Sequence, residues 1–158
     1  MYICLELEVM NINKKEIQVL CIQMLERQLS RLEDVMRHAQ LEANKETKSS
    51  AGDKYETGRS MMQLEKEKYA IQHSRVSQQL GTLKKIDLSV HDEVREGSLV
   101  DTNIGMFFIA VGMEPQHVCD KKITCISLTT PIGTCLEGLE EGDLVDFRDQ
   151  EIEIWAVS

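Results

Sequence analysis

Ile22-Gln-Met-Leu-Glu-Arg-Gln-Leu-Ser-Arg-Leu-Glu-Asp-Val-Met-Arg-His-Ala-Gln-Leu-Glu-Ala43 is the stretch from which the fold follows. Its apolar members Ile22, Leu25, Leu29, Leu32, Met36, Ala39 and Ala43 recur at alternating spacings of three and four, which is a heptad seam on an α-helix. Between them stand Glu26, Arg27, Arg31, Glu33, Arg37 and Gln40. A helix with one narrow apolar seam asks for one partner helix; a compact bundle would need broader apolar faces. No Gly or Pro occurs from Met1 to Ala51, so nothing breaks the helix. A polar stretch from Lys45 to Asp53 follows, and then the pattern resumes. Met62, Tyr69, Val76, Leu80 and Leu83 share a heptad frame, with His73 as a polar insert and with Met61, Leu64 and Ile71 flanking it. The second helix is therefore expected to fold back antiparallel on the first through a short tip. Each arm of about 30 residues would be ~45 Å long. Gly58 inside the second helix costs about 1 kcal/mol against Ala, and its lack of a side chain suggests a close approach of the arms there.

From Ile86 the pattern changes. Short apolar runs (Ser98–Thr102, Met106–Val111, Ile123–Leu128, Leu144–Phe147 and Ile152–Val157) alternate with spacers holding Gly, Pro, Asn or Asp, which predicts an antiparallel sheet of about five strands. Thr129-Thr130 before Pro131 predicts a short helix, with Thr at the cap and Pro in the first turn. The expected class is α+β: an antiparallel helical hairpin over 12–85, its tip at about 45–53, then a β domain over 86–158. Residues 1–11 read as an extension, with Met10 as a second start.

Composition narrows the function classes. The chain of 158 residues carries 27 acidic and 18 basic side chains, a net charge of −9. The charge is divided unevenly: residues 1–85 sum to +2 and residues 86–158 to −11. An acidic chain is a poor generic binder of nucleic acid, because phosphate neutralisation needs Lys and Arg. No apolar run approaches the roughly 20 residues that span a bilayer, and MYICLELEVM lacks the basic start of a secretory signal. The five Cys form no C-x-x-C pair, so a reduced cytoplasmic setting without a disulfide framework is expected. The four His are scattered and do not suggest a zinc site.

The run Ile126-Ser-Leu-Thr-Thr-Pro-Ile-Gly-Thr-Cys-Leu-Glu-Gly-Leu-Glu-Glu-Gly-Asp-Leu-Val-Asp-Phe147 resembles the signature of the GreA/GreB transcript-cleavage factors, I-S-x-x-S-P-[IL]-[GA]-x-x-L-x-G-x-x-x-G-D-x-V. Ile126, Ser127, Pro131, Ile132, Gly133, Leu136, Gly138, Gly142, Asp143 and Val145 fit it, with Thr130 in place of the serine. Gly97-Ser-Leu-Val100 is similar to that domain's opening. Ser49–Met61 resembles a divergent Gre-like branch of Bacteroidetes-type bacteria. The resemblance covers roughly residues 12–157. It implies an FKBP-like C-terminal domain that docks on RNA polymerase, with Pro131, Ile132, Gly133, Gly142 and Asp143 at the docking motif. It also implies a hairpin that enters the polymerase's secondary channel, and a tip whose carboxylates help hold a second Mg²⁺ at the polymerase active site so that backtracked RNA is cut. Two metals about 3.5–4 Å apart stabilise both the attacking and the leaving oxygen, and Mg²⁺ takes hard carboxylate oxygens. The chain would have no cofactor of its own, would act as a monomer, and would modulate the polymerase without being an enzyme.

The tip departs from the family pattern G-D-L-x-E-N-[AS]-[DE]-Y. With Tyr55 in the tyrosine position, Lys48 and Ala51 occupy the acidic positions. The nearest carboxylates are Glu46, Asp53 and Glu56, of which Asp53 and Glu56 lie three apart and would share a helix face. Two readings stand side by side. Asp53 and Glu56, with Glu46, supply the catalytic and metal-binding carboxylates; or Ser50-x-x-Asp53 is a capping box and Glu56 pairs with Lys54 or Arg59. Lys48, Lys54, Tyr55 and Arg59 are the candidates for contacts to nascent RNA or polymerase, against a reading as solvated charges and packing. Lys48 and Ala51 favour a non-cleaving channel occupant that competes with Gre factors. A peptidyl-prolyl isomerase is a weaker rival: its pocket is lined by several aromatics, and residues 86–158 hold only Phe107, Phe108, Phe147 and Trp155.

Overall fold

The computed structural model describes residues 12–46 and 54–158. Two long helices come first, α1 (Lys14–Glu46) and α2 (Lys54–Lys85). Asn13 starts α1: its side-chain oxygen accepts from the Lys15 N–H at 2.9 Å, and its carbonyl accepts from the Glu16 N–H at 2.9 Å. The chain divides into two compact units. Gln23–Gly81 form one; the described residues up to Ile22 and Thr82–Ser158 form the other.

The first unit is an antiparallel helix pair. Leu25 and Val76 are buried, while Leu29, Leu32, Met36, Ala39, Ala43, Met62, Tyr69, His73 and Leu80 are half-buried. The flanking Met61, Leu64 and Ile71 are exposed, as a narrow seam requires. Two polar residues of α2 sit within its heptad frame, and each finds a partner on α1. His73 Nε2 lies 3.1 Å from Glu33 Oε1, and Lys66 Nζ donates to Gln40 Oε1 at 3.0 Å. Seven residues forward on α1 correspond to seven residues back on α2, which fixes the antiparallel register.

In the second unit six strands form a sheet in the order β3-β4-β2-β1-β6-β5. They are β1 (Leu99–Thr102), β2 (Gly105–Ile109), β3 (Gln116–Val118), β4 (Lys121–Ile126), β5 (Leu144–Phe147) and β6 (Gln150–Val157), with a short helix α3 (Pro131–Leu136) between β4 and β5. The α+β class holds, with two differences in detail. β3 is a sixth strand, and β2 pairs parallel with β4 (Met106↔Ile123 to Ile109↔Ile126), so the sheet is mixed. β3 lacks the usual turn signal: the β3–β4 turn places Cys119 and Asp120 at φ +50° and +61°, a left-handed pair without glycine. The β5–β6 turn does the same with Arg148 and Asp149.

One face of the sheet carries the core of Val94, Val100, Phe107, Ile109, Ile126, Leu136, Ile152 and Ile154, joined by Ile132 and Leu139. The alternate residues Met106, Phe108, Ile123 and Cys125 point to the other face and are buried as well. There Cys21 of α1 brings its Sγ to 3.7 Å from Cys125 Sγ, and Gln18 Nε2 donates to the Leu83 carbonyl at 2.8 Å. Burial on both faces explains why the run Met106–Val111 is continuously apolar.

Candidate functional site

The helical ends that flank the tip are α1's last residue, Glu46, and α2's first turn, which holds Lys54, Tyr55 and Glu56. The side chains of these four, and Lys48 and Asp53 altogether, lie outside the described residues, as does the capping box at Ser50. Arg59 is exposed in the second turn of α2. At α1's end Lys45 Nζ lies 3.0 Å from Glu42 Oε1, an exposed pair worth little to stability. At Gly58 an added Cβ meets nothing within 4 Å among the described residues, so no close approach is seen there among them. Among the described residues no group of three or more His, Cys, Asp or Glu could hold a metal ion.

The proposed docking motif is well defined. Thr130 caps α3, its Oγ1 accepting from the Gly133 N–H at 3.1 Å and donating to the Ser127 carbonyl at 2.7 Å. Threonine is one of the residues preferred at a helix N-cap. Pro131 fills the first helical position and is exposed. Ile132 turns toward the core. Gly133 is buried, and a Cβ there would come 2.2 Å from the Ser127 carbonyl oxygen, so only glycine fits. Gly142 has φ +90°, and its N–H donates to the Ile154 carbonyl at 2.8 Å. Asp143 clasps the turn before β5: its Oδ2 accepts from the Glu140 N–H at 2.8 Å, and its own N–H donates to the Glu140 carbonyl at 3.1 Å. Pro131, Gly142 and Asp143 are therefore on the surface, whereas Ile132 and Gly133 shape it from beneath.

The domain's opening, Gly97-Ser98, is a buried hub. Gly97 has φ +93°, and a Cβ there would lie 1.8 Å from the Asp87 carbonyl oxygen. Ser98 Oγ accepts from the Arg95 N–H at 3.0 Å and lies 2.9 Å from His91 Nδ1. His91 Nε2 is 3.3 Å from Ser89 Oγ and 3.6 Å from Asp87 Oδ2. Lys14 of α1 donates to the Ser89 carbonyl at 2.6 Å. Burial, with Lys14 and Arg95 nearby, holds the His91 pKa below the ordinary imidazole value, against the opposing pull of Asp87.

No known family profile matches the chain. No curated protein matches it either. Among solved structures it is similar to a Gre factor homolog. That structure is GreA factor homolog 1 (Gfh1) of Thermus thermophilus, at 16% sequence identity, with 87% of this chain and 94% of that chain covered and a TM-score of 0.30. No described helix is long and apolar enough to cross a membrane.

Sequence reasoning passed over two features. One is the His91–Ser98 hub, whose members meet only through the fold. The other is the outward face of β6, where Trp155 is 51% exposed. Its signal was present in the alternation Glu151-Ile-Glu-Ile-Trp155, which puts the tryptophan on the side away from the two isoleucines.

Proposed function

We propose that the chain is a transcription elongation regulator of the Gre type. It docks on RNA polymerase as a monomer through residues 86–158 and inserts its hairpin into the secondary channel, in the cytoplasm. The reading rests on the run Ile126–Phe147: of the positions that match the Gre signature, Gly133 is crowded and Gly142 left-handed, and Thr130, in place of the signature's serine, caps the short helix. A two-helix hairpin precedes the domain that carries them. Any cleavage of RNA belongs to the polymerase, and the chain is not an enzyme by itself. In a cleaving regulator Asp53 and Glu56, with Glu46, hold a Mg²⁺ shared with the polymerase, which would supply charge stabilisation at the reacting phosphate. Lys48, Lys54, Tyr55 and Arg59 meet polymerase or nascent RNA.

A second reading within the class is favoured by Lys48 and Ala51, which stand where the family carries acids. The chain then occupies the channel without promoting cleavage and displaces true Gre factors. One experiment separates the two. Stalled, backtracked elongation complexes are incubated with the protein and the RNA 3′ end is followed. A cleaving factor shortens the RNA at least about ten-fold faster, and Asp53→Asn abolishes the gain. A non-cleaving occupant binds core polymerase and slows cleavage by an added Gre factor. No binding to core polymerase sinks both.

A further inference from the structure

β6 turns Ile152 and Ile154 into the core, so Glu151 and Glu153 stand on the opposite side of the strand. The antiparallel register sets Leu144 of β5 beside Glu153 and Asp146 beside Glu151. Trp155 belongs to the same face, because its indole Nε1 donates to Glu153 Oε2 at 3.2 Å. Two large apolar side chains, Trp155 at 51% and Leu144 at 58% exposure, are thus held in water among three carboxylates. Scattered exposed apolar residues are ordinary. Here the indole edge is already bonded to a carboxylate, at the residue where β6 bulges against β1, and the strand draws its core contacts from the other face. Arg148, the sole basic residue from Leu136 to Ser158, is engaged elsewhere, with its guanidinium 5.1 Å from the centre of the Phe147 ring.

We propose that the outer face of β5 and β6 binds an arginine-bearing segment of a partner protein. A guanidinium stacks on an indole face and bonds a carboxylate through its planar fork, and Trp155 with Glu153 offers both. The aliphatic stem of the arginine covers Leu144, and Glu151 and Asp146 extend the negative field to further basic residues of the segment. Lysine fits less well, lacking the planar fork, and nucleic acid is repelled by the carboxylates. The inference rests on the polymerase reading only for which protein supplies the segment.

Trp155 is the chain's one tryptophan, so its emission reports this face alone. The full chain is titrated with a capped Arg-Val repeat peptide, with its Lys-Val and Glu-Val counterparts, and with the Arg peptide at raised salt. The Arg peptide is expected to change Trp155 emission saturably and about five-fold more tightly than the Lys peptide, with weaker binding at raised salt and no response to the Glu peptide. Glu151→Gln with Glu153→Gln should weaken Arg-peptide binding by about five-fold or more, and calorimetry should find it lost in Trp155→Ala, with the far-UV spectrum unchanged. An absent Arg response, or binding that survives unchanged in Trp155→Ala or in the double variant, overturns the proposal. If peptide binding is present and polymerase binding absent, this surface stands and the polymerase reading falls.

Discussion

His91 shows what a single buried side chain contributes. It is 2% exposed, lies 2.9 Å from Ser98 Oγ, and faces Lys14 of α1, Arg95 and Asp87. Burial and the two cations lower its folded pKa, so the unfolded chain binds the proton more readily than the native one. Stability is therefore complete at neutral pH and above, and falls as pH drops below the ordinary imidazole value of about 6.5, levelling off beneath the lowered folded value. The slope in that window reaches at most about 1.4 kcal/mol per pH unit, the value for one proton. His91→Gln should flatten it, as urea midpoints at pH 7.0, 6.0 and 5.5 would reveal; an undiminished slope in the variant would assign the effect to another group. Ser98 and Gly97 stood out in the sequence as a motif, but their partners did not. His91, Asp87 and Lys14 reach them only through a connection that crosses from α2 to β1 and a helix begun far upstream, and no local pattern encodes such a meeting.

Elements were more legible than residues. The heptad spacing placed both arms, because a 3.5-residue period is a property of the chain alone. It also located His73 as a polar insert, but the insert Lys66, and the answering Gln40 and Glu33 across the seam, emerge only from the fold. β3 and the parallel β2–β4 pair stayed hidden for two reasons: their turn uses Cys119 and Asp120 in place of glycine, and direction of pairing leaves no trace in alternation. The helix glycines test the seam directly. Neither Gly58 nor Gly81 would crowd a described neighbour with an added Cβ, so among the described residues each costs helix stability with no compensating contact. Gly58→Ala and Gly81→Ala should each raise stability by about 1 kcal/mol, read as higher urea midpoints. A loss of stability at either position would mean that the arms need glycine for a reason their packing does not display.

At the scale of the whole molecule, charge and burial are both divided unevenly along the chain. Residues 1–85 are nearly neutral and residues 86–158 carry −11, so the excess charge sits on the part proposed to meet protein. The local structure of the run Thr130–Asp143 was legible because its glycines and threonine serve the backbone locally. The tip was not, because carboxylate spacing alone does not separate a metal site from a helix cap. Burial is just as uneven. Between Gln23 and Gly81 the buried apolar side chains among the described residues are Leu25 and Val76, whereas β1, β2 and β4 are buried on both faces of the sheet. Apolar burial is the main favourable term that opposes chain entropy, so the arms have far less to hold them closed. Local opening of 23–81 should then precede global unfolding. In native-state hydrogen exchange followed by mass spectrometry, amides of peptides from 23–45 and 57–81 should exchange at least about ten-fold faster than those of β1, β2 and β4, a gap of roughly 1.4 kcal/mol or more. Equal protection would show that the whole chain opens as one unit. Addition of core polymerase should slow exchange in 23–81 if the channel encloses the hairpin, and leave it unchanged if the chain docks by its β domain alone.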